Sequence, residues 1–236
     1  MTSTFDCPHF DLLRRRFDEL IDKFLAAELV KEVQDPLQFQ ADADNLAAFR
    51  LLMHAEIETF LEERAKQRLS TILSAIDSGH SWERSNPNLF ALLALNSVIL
   101  ENHPVQNSTG TAALAARIVA ACKQEVGDNN GIKEAAFIRL SIMAGKTSAE
   151  IDSSTAALLN SYGKERGQVA HRSTSMVRSL QAPSAEEANA RTIVEALQAY
   201  FEVQRIEETR LGRRRKVLRS APTRIAKNPH PAGPAA

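Results

Sequence analysis

"NLAAFRLLMHAEIETFLEERAKQ", residues 45–67, contains neither glycine nor proline and carries apolar residues at steps of three and four. At about 100° per residue, Leu46, Phe49, Met53, Ile57 and Phe60 fall in one sector roughly 80° wide. That periodicity predicts an amphipathic helix. The absence of a breaker extends it from about Asp42 to Ile76, with Gly79 beyond. Glu56 lies on the edge of the apolar sector, next to Phe49 and Leu52. An acid there is costly unless it is paired or hydrogen-bonded, so its partner must come from elsewhere in the fold. A surface lysine or a loop amide would serve, and so would a functional group. His54, toward the other border of the sector, reads as structural, while Glu58, Glu62 and Arg64 call for no special account.

On either side the same periodicity recurs. Residues 10–33 form an amphipathic helix that Asp35-Pro36 ends, because the residue before proline avoids the helical region. "NPNLFALLALNSVILEN" is short and very apolar, stopped by Pro104, and belongs in the interior or in a subunit contact. A helix over 111–126 is closed by Gly127, and another short one lies within "GIKEAAFIRLSIMAG". Asp152-Ser153-Ser154 is a fitting cap for "TAALLNSY". "PSAEEANARTIVEALQAYFEVQRIEETRL" opens with proline and acids, favourable helix-start chemistry. No run alternates long enough for a strand and no internal repeat is visible, so the fold class is all-α.

The chain has 236 residues with 29 cationic and 29 acidic side chains, enough for a substantial core with no net charge. Neutrality does not exclude a polyanionic partner, since a local basic patch suffices. Aromatic residues make up 6%, few for a protein that stacks single-stranded bases. Cys7 and Cys122 cannot define a disulfide framework and read as reduced thiols of a cytoplasmic protein. Cys7-Pro8-His9 lacks the second group of ligands that a tetrahedral metal site needs. The N-terminal residues lack a signal-peptide layout, and 89–100 is shorter than the ~20 residues a membrane span requires. Residues 213–236 lose periodicity and fill with Pro, Ala and cations, a disordered basic tail that either solubilises or weakly attracts nucleic acid.

"SYGKERGQVAHRSTS", residues 161–175, differs in character from all of this. Gly163 and Gly167 predict a break around Lys164-Glu165-Arg166, with a new helix near Gln168 running to about Leu180. Arg166 then stands near a helix N-terminus, where free amides and the dipole favour an anion. Five helical residues turn by about 140°, so Arg166 and His171 converge only if Arg166 sits in the non-helical turn and folds back. A cation, open amides and an imidazole make a phosphate site with a group that titrates near neutrality. The plainer alternative is a positively charged loop and a satisfied histidine.

"RGQVAH", Arg166 to His171, resembles the R-x4-H signature of the HEPN superfamily of helical ribonucleases. The likeness is wider than the hexapeptide. "HAEIETFLEERAKQ" (54–67), "NNGIKEAAFIRLSIMAG" (129–145) and "IDSSTAALLNSYGKERGQVAHRS" (151–173) resemble, in this order, the RiboL-PSP branch of that superfamily. In that branch an H-A-E-I-E helix precedes an N-x-G-I-K segment and a final F-G-x-x-R-G-x-x-A-H turn. The resemblance covers roughly residues 10–205. It implies an HEPN-like helical bundle with extra helices over 1–212, ahead of the basic tail. Many HEPN nucleases carry Asn, Asp or His directly after the arginine, where this chain has Gly167, as is usual in the branch. Ser173 stands where some HEPN toxins carry a modified tyrosine, so that form of neutralisation is not implied.

The resemblance further implies metal-independent RNA cleavage, without cofactors, in a homodimer whose two-fold interface shares the active site. RNA supplies its own nucleophile, the 2′-hydroxyl. His171 acts as general base or acid, and Arg166 holds the non-bridging oxygens and stabilises the charge that grows in the transition state. Glu56 is the expected orienting group for Arg166 or His171, with Lys164, Gly167 and Arg172 as substrate-binding positions. No cluster of carboxylates suited to magnesium stands out in the sequence. The implied role is a toxin or defence effector with RNA as substrate, an antitoxin protein as a further partner and no membrane. The alternative is a non-catalytic HEPN module that binds RNA or nucleotide or scaffolds a partner. A DNA-binding regulator would rest on the tail alone, for no helix-turn-helix with a cationic recognition helix stands out.

Overall fold

The computed structural model describes residues 4–35, 39–78, 92, 108–171, 180–207 and 216–217. The side chains of 108–111, 168, 170, 171, 207, 216 and 217 are not among what it describes. The described residues are predominantly helical. Helix α1 (Pro8–Leu20) passes through one π-helical turn (Ile21–Leu25) into α2 (Ala26–Gln34). The long helix α3 (Ala43–Asp77) follows, then α4 (Ser108–Gly127) and α5 (Glu134–Met143). A 3-10 turn (Ser148–Glu150) leads to α6 (Ser153–His171), and α7 (Pro183–Tyr200) is the last of these helices. None of the described helices is long and apolar enough to cross a membrane.

Helix α3 organises the rest. Its 35 residues reach about 50 Å at the helical rise, and α1, α4, α5, α6 and α7 all pack on it. Its start is set by Asp42, whose carboxylate accepts from the amides of Asp44 (2.9 Å) and Asn45 (3.3 Å), satisfying orphan donors of the first turn. Buried Glu28 on α2 accepts from the Asp42 amide at 3.1 Å and ties the two helices together there. The apolar sector foreseen for 45–67 is the core: Leu46, Phe49, Met53, Ile57 and Phe60 are all buried. Phe10 meets Phe60 edge-on at 5.7 Å, and Phe60 meets Phe201 at 5.5 Å, joining α1, α3 and the end of α7.

Several expectations are corrected. The glycines at 163 and 167 do not break the chain, since α6 runs unbroken from Ser153 to His171. Asp152 starts it, accepting from the amides of Ser154 (3.2 Å) and Thr155 (3.0 Å). Each interior glycine costs roughly 1 kcal/mol relative to alanine. Burial of Leu159, Tyr162 and Val169 along one face offsets that. Arg166 therefore lies inside a helix, not at the N-terminus of one, and no turn folds it back toward His171. The last helix ends at Tyr200, because buried Phe201 and Val203 turn back onto the core and Glu202 takes a left-handed φ of 54°. The backbone then runs beside the N-terminal segment: Asp6 donates to Gln204 (3.0 Å) and Ile206 to Thr4 (2.8 Å). Ile206 and Glu207 pair antiparallel with Val217 and Lys216, so two residues of the basic tail take part in a short ladder. The rest of 213–236 lies outside the described residues, as does the apolar segment 87–102 apart from buried Leu92.

A buried ion pair that no periodicity announced joins three helices. The Arg50 guanidinium on α3, fully buried, donates through Nε to Glu186 Oε2 at 3.1 Å and through Nη2 to Glu186 Oε1, a fully buried carboxylate of α7. Glu165 Oε2 on α6 lies 3.4 Å from the same Nη2, and the Gln181 amide donates to Glu186 Oε1 at 2.9 Å. Burial pushes the Glu186 carboxyl above its ordinary range, and the Gln181 amide and Arg50 pull against it.

Two stability measurements follow from this packing. Glu186→Ala strands the buried Arg50 charge and lowers the unfolding free energy by about 3 kcal/mol, with Glu165 offsetting part of the loss. Arg50→Met with Glu186→Leu loses much less, and urea titrations of both variants check the difference. Gly167→Ala places a methyl where no atom of the described residues lies within 4 Å. It raises stability by about 0.5–1 kcal/mol, and a lower melting temperature would contradict open space at that position.

Candidate functional site

On α3 the residues Arg50, His54, Glu58 and Glu62 recur every fourth position. Four helical residues turn by about 40° net, so these side chains form a slowly winding polar stripe along one border of the apolar sector. Arg50 and His54 are buried. Arg50 faces Glu186 and Glu165, and the next two members of the stripe face the turn before α5 and the second half of α6.

That turn is held by Glu58. Its Oε1 accepts from the Gly131 amide and from Asn129 Nδ2 at 3.1 Å. Asn129 Nδ2 also lies 3.0 Å from Glu62 Oε1 and 3.1 Å from the Gly131 carbonyl, closing the turn on itself. Gly131 has φ +119°, a conformation that side chains rarely adopt, which is why glycine stands there. Burial pushes the Glu58 carboxyl above its usual range; the Gly131 amide opposes this, Glu62 adds to it and Arg166 opposes it. Helix α6 comes close at Gly163, where an added Cβ would sit 3.1 Å from Lys133 Cγ and 3.6 Å from Ile132 Cγ1.

His54 lies between these parts. It is 2% exposed, and its Nδ1 has no hydrogen-bond partner among the described residues. Glu58 Oε2 is 3.7 Å from that nitrogen, too far for a hydrogen bond. Burial, joined by the charges of Arg166 and Lys133, pushes the imidazole down to about 4. The pair is thus a neutral imidazole beside a carboxylate and not an ion pair at neutral pH. Arg166 is half-buried, with its Nε enclosed and without a hydrogen-bond partner among the described residues. Tyr162, one turn earlier on α6, is buried, its hydroxyl without a hydrogen-bond partner among the described residues, and burial raises its pKa strongly.

The expected site residues are thus placed unequally. Arg166 reaches the polar stripe of α3, but Glu56 does not reach Arg166. Glu56 Oε1 accepts from Arg16 Nε on α1 at 2.9 Å, and Arg16 also pairs with Glu19. The reason lies in the helical repeat: Glu56 and His54 are about 160° apart around α3, on opposite flanks of the apolar sector. The flank of Glu56 faces α1 and that of His54 faces α6. The α3 carboxylate whose charge meets that of Arg166 is Glu58, set aside as unremarkable in the sequence. Its signal was the four-residue spacing from Arg50 and His54. Lys164 is exposed and Gly167 half-buried. His171 is the last residue of α6, its side chain outside the described residues, and Arg172 lies outside them altogether.

Among the described residues, no three His, Cys, Asp or Glu side chains come together as metal ligands would. A groove of about 450 Å³ lined by Asp11, Arg14, Arg15, Asp18 and Arg205 lies elsewhere, on α1 and the final segment. Its arginines alternate with acids, Arg14 lying 3.5 Å from Asp18 and Arg15 3.7 Å from Asp11, so it offers no concentrated charge. Comparison with protein-family models finds no match, and comparisons with curated proteins and with solved structures find none either.

The neutrality of His54 makes stability depend on pH. The unfolded imidazole, at its ordinary value of 6.5, takes up a proton before the folded one, at about 4. The contribution is fully present above pH 6.5 and is lost as pH falls toward 4, by about 3 kcal/mol in all. Urea unfolding at pH 7 and at pH 4.5 should show this fall, and His54→Gln should flatten it. An unchanged slope in the variant would place the imidazole in contact with water.

Proposed function

We propose that this protein is an endoribonuclease of the HEPN type that cuts RNA through attack of the 2′-hydroxyl, without a metal ion. The observation that carries the proposal is the meeting of the three segments on which the resemblance rests. His54 and Glu58 of "HAEIE", Asn129 to Lys133 of "NNGIK", and Gly163 and Arg166 of "YGKERG" come together from α3, the turn before α5 and α6. They lie apart in the chain, and their meeting at one place supports the reading.

In this reading Arg166 grips the non-bridging oxygens of the scissile phosphate and stabilises charge as the 2′-oxygen attacks. His171 moves the proton. An unbroken α6 separates Arg166 and His171 by about 140° around the helix, so one subunit alone does not bring them to one phosphate. A two-fold dimer resolves that difficulty, because Arg166 of one protomer can face His171 of its partner. A toxin or defence effector held in check by an antitoxin protein is the biological role that fits such an enzyme. The same 140° separation favours a second reading, a HEPN module that binds RNA without cutting it.

Digestion of labelled RNA separates the two. The wild type should cut in the presence of EDTA, leave 2′,3′-cyclic phosphate ends and spare 2′-deoxy substrates. Arg166→Ala and His171→Ala should each lose on the order of a hundredfold or more. Arg166→Lys should also be poor, since an ammonium cannot reproduce the planar fork. Glu56→Gln should leave cleavage unchanged, its carboxylate being occupied with Arg16. Inhibition by EDTA would sink the mechanism, and RNA binding without cleavage by the wild type would establish the binding module. Light scattering should give a dimer, and a monomer at tens of micromolar, roughly the Kd of a weak dimer, would remove the shared site.

A further inference from the structure

Lys133 stands at the N-cap of α5, exposed, with no ion pair or hydrogen bond to its ammonium among the described residues. Its side chain does not spread freely into water. The stem lies against α6 at a position that lacks a side chain: an added Cβ at Gly163 would come within 3.1 Å of Lys133 Cγ and 3.6 Å of the Lys133 amide. A methyl there is tighter than packing allows without a shift, so Gly163 is a slot for the lysine stem. Arg166 follows Gly163 by three residues, on the same face of α6. Both positive charges act on one buried imidazole, that of His54.

Like charges brought to one place cost energy unless something negative joins them. Glu58, whose carboxylate feels the charge of Arg166, is committed to the Gly131 amide and to Asn129. Glu62 is shared between Asn129 and Lys66, the latter at 3.7 Å. Glu134, in the first turn of α5, is exposed and makes no ion pair with Lys133 within 4 Å. Meanwhile Arg166 Nε and His54 Nδ1 are enclosed and unpartnered, and α5 begins with no side chain capping its free amides. Two cations without an ion pair among the described residues, an uncapped helix start and enclosed nitrogens lacking hydrogen-bond partners describe a place for an anion with several oxygens.

We propose that Lys133 and Arg166 form a two-cation clamp for a phosphate group of the RNA backbone, with the Lys133 stem seated in the slot left by Gly163. The clamp rests on the proposed RNA substrate and adds a binding residue to it. Arg166 supplies the planar fork and Lys133 a point charge on the far side of the same phosphate. Gly163 is then required by the clamp and not by the backbone, since α6 is helical on both sides of it.

The test uses the full chain and a fluorescein-labelled 2′-O-methyl RNA, which binds but cannot undergo 2′-hydroxyl attack, followed by anisotropy over a salt series. Lys133→Gln should bind roughly five- to tenfold more weakly at low salt, with a salt slope smaller by about 0.7 for the lost phosphate contact. Lys133→Arg should restore most of the affinity. Gly163→Ala should weaken binding in the same way while keeping its helical circular dichroism. Lys23→Gln, which removes a lysine on the π-helical turn, should bind like the wild type. The clamp is wrong if Lys133→Gln matches the wild type or Lys23→Gln, or if the wild type does not bind at all. Dependence on Lys133 without any cleavage of ordinary RNA would keep the clamp and remove the nuclease. Cleavage that requires Arg166 while ignoring Lys133 would do the reverse.

Discussion

The guanidinium of Arg50 is the fixed point of this structure. Fully withdrawn from water, it would be intolerable without the Glu186 carboxylate, and Glu186 would be equally so without it. The two meet through paired hydrogen bonds, with Glu165 drawn in from a third helix and the Gln181 amide filling a remaining lone pair. Such a contact tolerates little rotation of α3, α6 or α7, because planar donors and acceptors lose their bonds within a few tens of degrees. The core would be satisfied by a range of rotations that keep apolar groups inside. The buried pair selects one.

That choice of rotation carries the site with it. His54 and Glu58 follow Arg50 at four-residue steps, so the turn of α3 that points Arg50 at α7 also points the next two at α6 and at the segment before α5. Glu58 then does for the 129–133 turn what Glu186 does for the helices: it accepts from a backbone amide and an asparagine, in a place where burial raises its pKa. The opposite flank of α3, with Glu56 and Arg16, has no part in this and stitches α1 to the bundle. One helix thus separates a structural side from a candidate functional side.

The slot at Gly163 shows the same economy. A residue that reads as a helix breaker is tolerated inside α6 because the helix is anchored at Asp152 and buried along Leu159, Tyr162 and Val169. What the missing side chain permits is proximity, since a Cβ at Gly163 would stand only 3.1 Å from Lys133 Cγ. Gly167 has no such neighbour, so the two glycines of one motif do different work.

The helical spans up to α5 follow from the sequence, for the information is local, except that the single helix expected over 10–33 is divided into α1 and α2 by a π-helical turn. Asp42 caps its own helix, proline after Asp35 ends another, and the apolar repeat of 45–67 marks the buried face wherever the rest of the chain lies. The three segments that make the site can also be named from sequence, by their resemblance to one family. What the sequence leaves open is which way each polar border of α3 faces, since Glu56 and Glu58 flank the same apolar stripe with nothing local to tell them apart. Whether Gly163 and Gly167 end a helix is likewise undecided there, because their cost of about 1 kcal/mol each is overcome only by burial against α3 and α5. Both outcomes are settled by which helices pack together. That is a property of the assembled core, where an arrangement that left Arg50 buried without Glu186 would cost roughly several kcal/mol.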